Sequence, residues 1–214
     1  MTEYSLRAKL ITEFIGTFFL TLTICLAGVF GSGTSELAPF AIASTLMVMI
    51  YAGGHVSGAH YNPAVTISIY LRGACDKSEV APYIASQLAA AVIAAVISSS
   101  VFMPSNTYVG ELAMDTVPAL AAELTFTFAL VYVILNVATS ESTEGNGYYG
   151  AAIASVVLAG ALTVGSISGA SFNPAVSVSL ILTESIGVAD SWLHFAPQIA
   201  GGALAAYVFK AQQN

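Results

Sequence analysis

Apolar residues run through this chain in long stretches that no charge interrupts. No Asp, Glu, Lys or Arg occurs between Glu13 and Glu36. Further uncharged runs extend from Glu36 to Arg72, Glu79 to Glu111, Glu123 to Glu141, Glu144 to Glu184 and Asp190 to Lys210. A helix needs roughly 20 apolar residues to cross a bilayer. The pattern predicts six spans, at about 7–31, 38–54, 80–102, 117–138, 148–165 and 192–210. The first is too long for the apolar region of a signal peptide and shows no small-residue cleavage site, so it is read as part of the mature protein.

The two longest runs, Glu36 to Arg72 and Glu144 to Glu184, cannot be single helices. As one helix, the second would reach about 58 Å, against a hydrocarbon core of ~30 Å. Each run must fold back. Gly53, Gly54 and Gly58 are expected to break the first, and Gly165 and Gly169 the second. The segments after Asn62 and Asn173 read as short helices of about eight to ten residues, roughly 12–15 Å long. Each penetrates half a membrane. Entering from opposite sides, the two meet near the middle. Irregular backbone at that depth survives only when buried in protein or lining water.

Composition narrows the class. The chain of 214 residues is 57% apolar and only 8% charged, whereas a soluble domain carries about 25% charged residues. These values exclude a soluble domain and intrinsic disorder. The net charge of −7 and the lack of a basic run exclude a nucleic-acid partner. With six spans, Arg7, Lys9, Arg72, Lys77 and Lys210 all fall on one side, which the positive-inside rule makes cytoplasmic. Both termini are therefore expected in the cytoplasm, and the membrane is expected to be the cell (inner) membrane. The two cysteines, Cys25 in the first span and Cys75 after a loop, suggest no disulfide framework.

The chain repeats itself. Ser57-Gly58-Ala59-His60-Tyr61-Asn62-Pro63-Ala64-Val65 returns in the second half as Ser168-Gly169-Ala170-Ser171-Phe172-Asn173-Pro174-Ala175-Val176, with seven of nine positions identical. Glu13-Phe14-Ile15-Gly16-Thr17-Phe18 pairs with Glu123-Leu124-Thr125-Phe126-Thr127-Phe128, and Gln87 with Gln198. One unit is three spans plus one special loop. Three is odd, so the second copy enters the membrane upside down, the inverted-repeat design of transport proteins. The chain reads as a single domain over 1–214 with repeats of about 7–102 and 117–210.

The Asn-Pro-Ala pairs carry the chemistry. Asn is a good N-cap and Pro suits the first helical position. Asn62, Pro63 and Ala64, like Asn173, Pro174 and Ala175, therefore start a half-helix. Each half-helix directs about +0.5 elementary charge at the midplane, which repels cations. The Asn amides are expected to donate hydrogen bonds into the lumen. A water held by both must offer them its oxygen, and a proton wire loses its direction there. The construction favours neutral, hydrogen-bonding solutes.

On these motifs, the Gly54-His55-Val56-Ser57-Gly58-Ala59-His60 approach and the repeated Glu-x-x-x-Thr-Phe, the sequence from 7 to 210 resembles the aquaporin family, the major intrinsic proteins. The resemblance implies an all-α membrane protein of six tilted transmembrane helices plus two re-entrant half-helices. It also implies one pore per chain and a homotetramer in the lipid bilayer. It gives Glu13 and Glu123 a supporting role, accepting backbone N–H bonds from the re-entrant loops. His55 and His60 are expected in loop packing or at the pore vestibule. No zinc-type spacing and no nucleophile–base arrangement appears, so no cofactor, metal or enzymatic activity is expected. Small residues crowd spans 3 and 6 (Ala89-Ala90-Ala91, Gly201-Gly202-Ala203) and read as close helix packing.

Where most of the family has an Arg after the second Asn-Pro-Ala, this chain has Val176. Carried over from the family, the other selectivity-filter positions are Ile42, Ala161 and Ala170. All four are apolar, which implies a wide filter with few side-chain donors. Ser177 and the compact loops instead match water channels of the family. Some bacterial relatives with a small apolar residue in place of the Arg pass neutral metalloid acids such as arsenite. The expectation is a passive channel for water and small uncharged solutes (glycerol, urea or a neutral metalloid acid) that excludes protons and ions. The alternatives are a strict water channel and a non-conducting membrane scaffold of the same fold. A coupled transporter is a third reading, which the paired motifs disfavour.

Overall fold

The computed structural model describes residues 4–31, 35–103 and 110–213. They form eight helices: α1 (Leu6–Thr23), α2 (Ala38–Ser57), α3 (Pro63–Arg72), α4 (Lys77–Ile97), α5 (Thr116–Ala138), α6 (Tyr149–Ser168), α7 (Pro174–Leu182) and α8 (Trp192–Gln213). α1 continues through a looser π-helical turn over Ile24–Val29, and α4 through another over Ser98–Phe102. The all-helical architecture, with two short helices among long ones, agrees with the pattern of uncharged runs.

Local chemistry sets the ends. Ser5 caps α1, its hydroxyl accepting from the Ala8 N–H at 3.3 Å. Gly58 (φ 85°) and Gly169 (φ 78°) end α2 and α6 in the left-handed conformation that glycine adopts freely. Gly53, Gly54 and Gly165 do not break their helices, and both spans run three residues further than expected. A glycine inside a helix costs about 1 kcal/mol relative to alanine, but Gly53 makes room. A Cβ there would overlap the Tyr61 hydroxyl, and one on Gly16 would overlap the Tyr61 ring.

Five helical segments are long and apolar enough to cross a membrane: Leu6–Val29, Ala38–Ser57, Lys77–Phe102, Thr116–Ala138 and Tyr149–Ser168. The sixth expected span, α8, is long enough but falls outside this group because it carries polar residues. Two of these, His194 and Gln198, are fully buried. Its outer face holds Trp192, Leu204 and Tyr207, each at least about half exposed. The polarity of α8 thus points inward, the reverse of a soluble protein, as in a helix whose solvent is hydrocarbon.

Long helices pack in two similar sets, α1 against α4 and α5 against α8, and α2 joins α6 between them. The half-helices cross over. α3 rests mainly on α8, and α7 mainly on α4. Small residues allow this approach. A Cβ on Gly202 of α8 would press on the Ser68 hydroxyl and the Ala64 carbonyl of α3, and one on Gly201 would overlap the Leu124 carbonyl of α5. The equivalent residues of α4, Ala90 and Ala91, are fully buried. At one end, Lys9 pairs with Glu79 at 2.6 Å. Arg72 bonds Thr139 and lies 5.4 Å over the Phe209 ring.

Candidate functional site

Asn62 and Asn173 stand before α3 and α7 in extended conformation, with φ of −158° and −156°. The Asn62 Oδ1 accepts from the N–H of Ala64 (2.8 Å) and of Val65 (3.4 Å), and the Asn173 Oδ1 from that of Ala175 (2.9 Å). Pro63 and Pro174 occupy the first helical positions, where a missing N–H costs nothing. The amide nitrogens reach across. Asn62 Nδ2 donates to the Phe172 carbonyl and Asn173 Nδ2 to the Tyr61 carbonyl, both at 2.9 Å. Each Asn therefore commits one of its two N–H groups to the opposite loop and retains one.

The loops before each Asn are held in an unusual shape. Ala59 and Tyr61 take φ near 50°, as do Ala170 and Phe172. Non-glycine residues adopt this region at a cost of roughly 1 kcal/mol or more each. Two buried carboxylates hold it. Glu13 accepts from the Ser57 hydroxyl (2.7 Å), the N–H of His60 (2.9 Å) and of Tyr61 (2.7 Å), and Gln87 Nε2 (2.8 Å). Glu123 accepts from the Ser168 hydroxyl (2.7 Å), the N–H of Ser171 (3.0 Å) and of Phe172 (2.8 Å), and Gln198 Nε2 (2.7 Å). In a trans peptide the carbonyl points opposite to the N–H. Turning these N–H groups to the carboxylates therefore turns the carbonyls of Ala59, His60, Ala170 and Ser171 the other way. Gly58, Ala59, His60, Gly169, Ala170 and Ser171 all line one cavity of about 660 Å³.

The same cavity is lined by Asn62, Asn173, Ile42, Ala161, Ala170 and Val176. Its wall is mostly aliphatic, with Leu20, Leu46, Ile50 and Leu130 among its members. Val176 is only 2% exposed and packs with Leu180, Ile186 and Ile24. At the far end the cavity reaches Arg72, Glu141, Glu144 and Tyr149.

The two histidines separate. His60 is buried, with Nδ1 3.1 Å from the Thr66 hydroxyl and its ring 5.1 Å from that of Tyr83. His55 is exposed at the cavity rim, edge-on to Tyr4 at 6.0 Å, and takes no part among the bonds that hold the loop. It occupies the last turn of α2, before the chain leaves the helix, and so cannot follow the loop inward. Sequence reasoning did not assign roles to Ser57, Ser168, Gln87 and Gln198. Their recurrence at matching places in the two repeats was the available signal. His194, with Nδ1 3.2 Å from the Ser177 hydroxyl, has no such signal, because Tyr83 occupies the equivalent place. Among the described residues, no group of three or more His, Cys, Asp or Glu could hold a metal ion.

Comparison with known proteins shows the family and the fold. The family model described as Major intrinsic protein matches residues 1–209. Aquaporin NIP1-3 of Oryza sativa subsp. japonica is 34% identical over 218 residues, covering 98% of this chain and 75% of that protein. Putative aquaporin NIP4-1 of Arabidopsis thaliana is 32% identical over 211 residues, covering 95% and 74%. The X-ray structure of the aquaglyceroporin from Plasmodium falciparum shares the fold at a TM-score of 0.81, with 21% identity and 96% of each chain covered. The chain belongs to the major intrinsic protein family and is an integral membrane protein.

Proposed function

We propose that each chain forms one passive pore, with the cavity as the solute path and the facing Asn caps at its middle. Family membership makes the protein a channel for water and small neutral solutes. The observation that carries the finer reading is the reciprocal pair of bonds, Asn62 to Phe172 and Asn173 to Tyr61. A contact in which each partner does to the other what is done to it is the mark of a twofold relation. It supports inverted repeats whose half-helix N-termini converge on one point. Each end contributes about +0.5 elementary charge there, which opposes cations. The remaining N–H on each Asn orients a passing water by its oxygen, which opposes proton relay.

Solute choice follows from the walls. Ile42, Ala161, Ala170 and Val176 line the cavity and offer no side-chain donor. Carbonyl oxygens are the acceptors on offer, so solutes rich in hydroxyl or amide donors suit the path. Glycerol, urea and neutral metalloid acids fit, alongside water. Glu13, Glu123 and His60 act as loop supports. Arg7, Lys9, Arg72, Lys77 and Lys210 assign their end of the molecule to the cytoplasm, in a cell membrane. The exposed apolar faces of the long helices are available to lipid and to three further copies in a tetramer.

Stopped-flow light scattering on proteoliposomes tests this. Shrinkage in a sucrose gradient and re-swelling with glycerol are expected to exceed those of protein-free vesicles. Permeability to both equal to that of lipid alone overturns the channel reading in favour of a scaffold.

A further inference from the structure

Each half of the molecule places one imidazole on an equivalent hydroxyl, but from a different element. In the first half, the Thr66 hydroxyl receives Gln87 Nε2 at 3.0 Å and meets His60 Nδ1 at 3.1 Å. In the second, the Ser177 hydroxyl receives Gln198 Nε2 at 3.0 Å and meets His194 Nδ1 at 3.2 Å. Thr66 and Ser177 are equivalent, four residues past their Asn caps, and each lies within bonding distance of the Asn carbonyl behind it. The imidazoles are not equivalent. His60 belongs to the loop and corresponds to Ser171; His194 belongs to α8 and corresponds to Tyr83.

The exchange has a consequence for the pore. His60 lines the cavity, whereas His194 is fully buried behind the wall. Ser171, which lines the cavity in its stead, is one residue from the filter position Ala170. His194 is fixed from its other side too, with Nε2 3.5 Å from Met114 Sδ. Thioether sulfur only accepts, so Nε2 carries the proton and Nδ1 accepts from the Ser177 hydroxyl. The Ser171 hydroxyl, 2.7 Å from that of Ser177, then donates to it.

We propose that His194 is a positioning residue that sets selectivity: it supplies the imidazole–hydroxyl bond from outside the pore and so leaves a small side chain at position 171, beside the filter. This rests on the reading of the cavity as the solute path. It makes the pair Ser171/His194 interchangeable with the pair His60/Tyr83, and makes the second half the wider one.

The double variant Ser171→His/His194→Tyr transplants the first arrangement into the second half. Each single change is expected to lower the thermal midpoint, and the double to recover most of the loss. In proteoliposomes the double is expected to lower the glycerol-to-water permeability ratio by about fivefold, the scale on which small steric changes in a site discriminate. The mirror exchange His60→Ser/Tyr83→His is expected to raise the ratio. A folded double variant with the native ratio overturns the proposal, and so does failure of both exchanges to fold. The variant Val176→Arg separates the two levels. If it lowers the ratio while the exchange does not, the solute path stands and the role of His194 falls. If neither variant moves the ratio, the wide-filter reading falls with it.

Discussion

Asn62 donates a hydrogen bond from Nδ2 to the carbonyl oxygen of Phe172 at 2.9 Å, so the cap of one half-helix is fastened to the loop that launches the other. Replacing Asn62 with Asp keeps the oxygen that caps Ala64 and Val65 but sets a carboxylate oxygen against that carbonyl. The Asp variant is expected to leak monovalent cations, while Asn62→Ala is expected to lose about 1–2 kcal/mol from the missing cap. A pH-sensitive dye and a potassium gradient in proteoliposomes read the first effect, and thermal unfolding in detergent the second. Native-level cation exclusion in the Asp variant would count against the electrostatic role of the caps.

Glu13 and Glu123 each collect four donors with no partner of opposite charge among them. In Glu13→Gln or Glu123→Gln, an amide NH₂ replaces an oxygen that accepts two of those donors. Bonds to charged groups contribute about 1.5–3 kcal/mol each, so a fall in thermal midpoint of several degrees is expected for either variant. The exposed Glu141→Gln is the control and is expected to unfold like the native protein. Equal midpoints for all three would show that the loops hold their shape without the carboxylates.

Gly16 and Gly53 flank Tyr61 on two sides, one against its ring and one against its hydroxyl. Gly53→Ala and Gly16→Ala are each expected to destabilise by roughly 1–3 kcal/mol through overpacking. Removing the hydroxyl in Tyr61→Phe should partly rescue the first, because Thr12 also crowds that position, and should leave the second unrelieved. A double-mutant cycle in thermal unfolding measures the difference. Equal rescue of both would contradict the placement of the hydroxyl.

Val176 leaves empty the volume that a long side chain at that place would fill. Val176→Arg, with the guanidinium extended into the cavity, is expected to reduce glycerol permeability by about tenfold or more and water permeability by less. Paired stopped-flow traces on one vesicle preparation give the ratio directly. A proportional loss of both would mean that the arginine plugs or unfolds the pore.

Cys75 lies half-buried in the connection between α3 and α4, and burial, with Glu79 and Asp76 adding to it, pushes its thiol up to about 11. A raised value favours the neutral thiol at physiological pH, and the reactive thiolate appears only as pH climbs. Maleimide labelling in a Cys25→Ser background is expected to be slow at neutral pH and to accelerate about tenfold per pH unit up to that value. Mercurials are expected to block the channel weakly, since the proposed filter position 170 carries alanine and not cysteine. Fast, pH-independent labelling would place the thiol in water.

The eight helices were legible in the chain because their causes are local. Charge-free runs of membrane length, an Asn-Pro start and a terminal glycine each act within a few residues. Even the fold-back followed from length alone, since the uncharged stretch from Glu144 to Glu184 is too long to be one span. Other features depended on partners that the chain brings together only in three dimensions. Gly53, Gly54 and Gly165 read as breaks, yet they are helical; at Gly53 a tyrosine eight residues on fills the space a side chain would take. In sequence α8 reads simply as a sixth span; only the packing shows that Gln198 and His194 face inward, toward Glu123 and Ser177. Asn62 announces a helix start by itself, but half of its amide belongs to a loop in the other repeat. The division has one physical origin. Propensity and hydropathy are properties of a segment, whereas burying a polar group requires a partner, and the partner is chosen by packing.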